Sequence, residues 1–150
     1  MEDRIAIFQV DDGPVGEGPL HPVTPEGTDQ GFVSPDGRTV VAHLTSGGFQ
    51  LYPVDGGAPR AIPALTVSDQ VVGWSQDGQA VWVCNPNEIP MRVERLDVAT
   101  GRRSLLEVIA PPDRSGLLFF GSLSLARDPR VYAYQTRDYV SRLFTVEGMQ

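Results

Sequence analysis

VSPDGRTVVAHL, residues 33–44, sets a tight turn between two β-forming runs. Ser34 opens a type I turn, Pro35 fixes φ at its second position and Asp36 fills the third. Gly37 then supplies the left-handed conformation through which a hairpin continues past a bulge. The same grammar returns in VVGWSQDGQAVWV, 71–83, where Ser75, Gln76, Asp77 and Gly78 repeat the turn with Gln in the proline position. A third copy, LSLARDPRVYAY at 123–134, keeps Asp128 but has Pro129 where the others have Gly. Proline cannot adopt positive φ, so this hairpin has to turn differently.

The copies are spaced by 41 residues from Asp36 to Asp77 and by 51 from Asp77 to Asp128. The longer interval contains EVIAPPDRSGLLFFG, 107–121, which reads as an extended loop. Each period holds the same succession of short runs. QGFVS, RTVVAHL, GFQLYPV and PRAIPAL make the first, VVGWS, AVWVCN, MRVERLDV and RRSLLEVI the second, and GSLSLA, RVYAYQT and SRLFTV the third. Upstream, RIAIFQVDDG and PLHPV read as the last two strands of an earlier unit. No segment sustains the apolar spacing of an amphipathic helix. Repeats of 40–50 residues with several strands apiece point to propeller blades. The expected fold is therefore all-β: a partial β-propeller of about three four-stranded antiparallel blades, incomplete at both ends. Residues 1–30 would hold the outer strands of a preceding blade, 31–68 and 69–112 a blade each, and 113–150 an incomplete last one.

At 150 residues with 41% hydrophobic content, the chain can bury a core. Its 16 Gly and 13 Pro fall between apolar runs and act as turn punctuation. A net charge of −7 argues against a nucleic-acid partner, which needs a basic face. Every basic residue is Arg, which we read as coding bias. Charge is uneven: residues 1–36 carry eight acids and one Arg, and 114–142 carry five Arg and two Asp. The start has neither a basic n-region nor an apolar h-region, and no run is long enough to span a membrane. The expected location is cytoplasmic, or periplasmic or extracellular if a parent protein is anchored.

Reactive chemistry is sparse. Cys84 is the one cysteine, set in the apolar run AVWVCN, and reads as a small core residue. His21 and His43 are the two imidazoles, without metal-ligand spacing, so no metal or cofactor is expected. A nucleophile elbow is missing as well, and catalysis by this chain alone is not expected. Asp36, Asp77 and Asp128 lie one per repeat and read as turn stabilisers rather than calcium ligands. Trp74, Trp82, Tyr132 and Tyr134 suit packing between sheets. Interaction candidates are Phe119 and Phe120 in the 107–121 insertion, with Arg114, Arg137 and Tyr139 nearby.

FVSPDGRTVVAHL, GWSQDGQAVWV and LARDPRVYAY resemble the TolB-like β-propeller repeat, a relative of the WD repeat, over roughly residues 5–148. LYPVDGGAPR and RVERLDVATGRR resemble the strand–turn–strand that closes such blades. YVSRLFTVEGMQ is similar to the end of propeller regions appended to bacterial serine/threonine protein kinases. The kinase motifs G-x-G-x-x-G, V-A-I-K, H-R-D and D-F-G do not occur in the sequence. The resemblance thus implies a non-catalytic module for protein interaction or ligand sensing. A rival expectation is an accessory or gating propeller for a peptidase or other enzyme on another chain. Some three blades do not make a ring, and exposed strand edges recruit partners. Self-association through those edges, or binding of a protein partner there, is the expected consequence, with contacts from 107–121 and 135–142.

Overall fold

The computed structural model describes residues 8–10, 20–112 and 117–138. The described residues are all-β, with twelve strands and no helix. A first sheet pairs β1 (Phe8–Val10) with β2 (Leu20–Pro22). The second runs β3 (Thr28–Val33), β4 (Thr39–Leu44), β5 (Phe49–Pro53) and β6 (Arg60–Ala61). The third runs β7 (Gln70–Trp74), β8 (Ala80–Cys84), β9 (Met91–Asp97) and β10 (Arg103–Ile109). The fourth pairs β11 (Leu117–Leu125) with β12 (Tyr132–Asp138). Neighbours in a sheet are always consecutive in sequence and antiparallel, so each sheet is a meander and none closes on itself.

β4 shows why the sheets stack. Alternate side chains of a strand point to opposite faces, and in β4 both sets are apolar. Val41 enters a core with Phe49, Leu51, Ile62, Val71, Val81, Val83 and Leu96, shared by the second and third sheets. Val40 and Ala42 point the other way, into a cluster with Tyr52 and Val23. The third sheet behaves alike: Val81 and Val83 of β8 face the second sheet, whereas Cys84 joins Met91, Val93, Ile109 and Phe120 against the fourth. Each fully buried side chain of this kind stabilises by about 1.5–3 kcal/mol. The four-stranded sheets therefore have two dry faces and cannot stand alone.

The first strands of neighbouring sheets meet. The indole Nε1 of Trp74, on β7, donates to the carbonyl of Phe32, on β3, at 2.9 Å. β7 touches both β3 and β11.

Four expectations need correction or bounding. The run PRAIPAL forms only the two-residue β6, because Ile62 is drawn into the inter-sheet core and the flanking prolines donate no ladder hydrogen bonds. The stretch 107–121 is not one loop: β10 continues to Ile109 and β11 begins at Leu117, leaving Pro111 and Pro112 as the breakers. Likewise the supposed loop 135–142 is strand as far as Asp138. The third strand expected in the last unit, SRLFTV, lies outside the described residues.

Candidate functional site

The two Ser-x-Asp-Gly turns fold alike. Ser34 Oγ donates to Asp36 Oδ1 at 2.6 Å and accepts from the Thr39 amide at 3.0 Å. Ser75 Oγ lies 2.6 Å from Asp77 Oδ1 and accepts from the Ala80 amide at 3.0 Å. The Arg38 and Gln79 amides complete the same carboxylates. Gly37 and Gly78 sit at φ 71° and 67°, the left-handed region that a side chain disfavours. The serine hydroxyl and then the backbone amide hold both Asp carboxyls below their ordinary pKa.

Pro129 changes the third turn as its chemistry requires. Ala126 N still donates to Val131 O at 2.8 Å, but the tight turn closes two residues later, from Val131 N to Asp128 O at 2.9 Å. Asp128 now pairs with Arg130. Gln76 Nε2 donates to the Arg127 carbonyl, bridging the third and fourth sheets. A shallow cleft of about 400 Å³ opens beside this bridge, lined by Trp82, Arg95 and Pro129 among others. These turns spend their polar groups on themselves, on each other or, for Asp77, on Arg95 of β9 at 2.8 Å. They act as structural elements.

A larger open cleft, about 510 Å³, lies between the second and third sheets. β3 contributes Asp29 and Gln30, β4 His43, and β5 Phe49. Val67, Ser68 and Asp69 of the segment joining β6 to β7 form another wall, continued by Gln70, and Pro86 and Asn87 come from the β8–β9 loop. His43 Nδ1 lies 2.7 Å from Asp29 Oδ1, and its ring packs on Phe49 with centroids 4.8 Å apart. Val67 is 96% exposed.

Asp69 holds the joining segment in place. Its side chain is only 8% exposed and pairs with Arg103 of β10 at 2.5 Å, while Thr66 donates to it through both backbone and hydroxyl. Arg103 also bonds Glu94 of β9 at 2.9 Å and the Ala64 carbonyl at 2.8 Å. Burial alone raises the Asp69 pKa, but the Arg103 and Thr66 hydrogen bonds outweigh it and leave the pKa lowered. Burial first, and then the nearby Asp69 charge, push the Cys84 thiol up to about 12, which favours its protonated form. Among the described residues no three metal-ligating side chains cluster.

The sequence candidates fare unequally. Phe119 and Arg137 face each other across β11 and β12, with the guanidinium 5.5 Å from the ring centroid. Phe120 is 1% exposed and packs into the core with the third sheet, edge-on to Tyr134. As the neighbour of Phe119 on a strand it must face the opposite side, so it is a core residue and not a surface contact. Arg114 and Tyr139 lie outside the described residues. Asp29, Phe49, Asp69 and Asn87 were missed because they are far apart in sequence and carry no joint motif. The Thr66-x-x-Asp69 spacing, a local side-chain-to-backbone closure, was the one available signal. No protein-family model matches the chain, and no curated protein matches it.

Proposed function

We propose that the chain is a non-catalytic binding module built as part of a β-propeller of the TolB-like kind, related to those appended to bacterial serine/threonine kinases. One observation carries this reading: successive meanders stack through dry faces, and the first strand of the third sheet touches the first strands of both neighbours. Convergent inner strands are what radially arranged blades require. The repeated Ser-x-Asp-Gly turn supports the kinship.

Function then belongs to the surfaces left over. On the face opposite Tyr132, which packs toward the third sheet, Ala133 and Gln135 of β12 are exposed, as is Val131 just before the strand. That sheet face is suited to another sheet, from a second copy or from a protein partner. Sedimentation velocity at micromolar concentration tests this. We expect association that Val131→Glu abolishes without unfolding; a monomer unchanged by Val131→Glu overturns the self-association arm. Photocrosslinking from position 131 in the native cell then has to yield a discrete partner for the module reading to survive.

A further inference from the structure

We propose that the cleft between the second and third sheets binds an organic cation with a short alkyl portion, an alkylammonium or alkylguanidinium group, using Asp29 as its counter-ion. The inference deepens the binding-module reading and rests on it.

The two carboxylates of the cleft are not equivalent. Asp69 is saturated by Arg103 and Thr66 and has no capacity left for a ligand. Asp29 gives one oxygen to His43 Nδ1, and its Oδ2 has no partner among the described residues. Its side chain is 45% exposed, so the free oxygen is reachable. No Arg lines the cleft among the described residues, and the chain carries −7 overall. The local field thus favours a cation and repels an anion.

Shape adds an apolar requirement. The His43 ring, held on Phe49, offers a flat wall of the sort on which guanidinium groups and methylenes lie. Val67 stands at the rim almost fully in water, where its methyl groups are open to the alkyl portion of a bound cation. The amides of Gln30, Gln70 and Asn87 supply neutral acceptors for the remaining N–H groups. A cleft of about 510 Å³ is within the size range of small-ligand sites. Among the described residues no three His, Cys, Asp or Glu side chains gather here.

The test titrates the full chain with n-butylguanidinium and n-butylammonium, with N-butylurea and butyrate as neutral and anionic controls, followed by amide NMR shifts. Saturable shifts at Asp29, Val67, Ser68 and Asn87 with the cations alone are expected. Asp29→Asn lowers cation affinity about tenfold, the worth of one charge-assisted contact. Val67→Ser, at an exposed position, weakens the butyl cations and leaves bare guanidinium unchanged. A capped arginine, acetyl-Arg-methylamide, separates the sources: its binding denotes a peptide side chain, and binding of the free cations alone denotes a small amine. Equal binding of N-butylurea, or full affinity in Asp29→Asn, overturns the assignment. A folded chain indifferent to all four probes also overturns it while leaving the module reading intact, which fails separately by the sedimentation and crosslinking results.

Discussion

The two ends of the central sheets are built on opposite principles. At one end the Ser-x-Asp-Gly turns share one internal closure: each serine meets its aspartate, and each aspartate meets the amide two residues on. At the other, Asp29 keeps an oxygen open, Val67 stands in solvent, and a cleft separates the walls. Repetition and internal closure go together at the first end, since a serine–aspartate lock that needs only its own hairpin can be reused. The x position, Gln76 in the second turn, is left to reach a neighbouring sheet. The second end differs from repeat to repeat. Differences of that kind are where recognition is built.

Substitutions that split stability from binding test this contrast. The largest effect is expected behind the cleft wall. Arg103→Ala strips the nearly buried Asp69 of its partner and frees Ala64, and should cost about 3 kcal/mol in urea unfolding. The same pair makes stability depend on pH. Because the folded pKa of Asp69 is lowered, its contribution is complete above the unfolded value of about 3.9 and disappears as pH falls through the folded value. Asp69→Asn should remove that part of the acid transition, and an unchanged acid limb would refute the clamp.

Next comes Ser75→Ala, which unseats both the Ala80 amide and Asp77 at a buried site and should cost about 1–2 kcal/mol. Cation binding at the far cleft should be untouched. Gly78→Ala should cost about 1 kcal/mol, a purely conformational loss, since an added methyl would meet nothing closer than Pro35 Cδ at 3.8 Å. The smallest effect belongs to Asp29→Asn. Its hydrogen bond with His43 is solvent-exposed, and thermal unfolding should move by less than about 0.5 kcal/mol. A large destabilisation there would make Asp29 another structural residue and erase the contrast.

Where the sequence was read correctly, the signal was local. Ser34, Asp36 and Gly37 specify their turn within four residues, and the strands on either side follow from it. The altered closure at Pro129 was readable for the same reason, since a ring fixes φ whatever surrounds it. Errors arose where distant packing took over. Ile62 leaves a strand-like run because a core formed with Val71 and Val81 claims it. Phe120 resembled a loop aromatic until its pairing with Thr136 placed it on a strand facing Met91 and Ile109. The cleft was illegible for a further reason: His43 and Asp29 are neighbours only across the β3–β4 pair, and Asn87 arrives from another sheet.

Because every sheet is one uninterrupted stretch of chain, its hydrogen-bond ladder owes nothing to residues elsewhere. Gene duplication or deletion in whole units can therefore lengthen or shorten such a stack without breaking a single ladder. Only the apolar faces where two units meet need to be renegotiated, and evolution can alter the number of units far more cheaply than the pattern inside one.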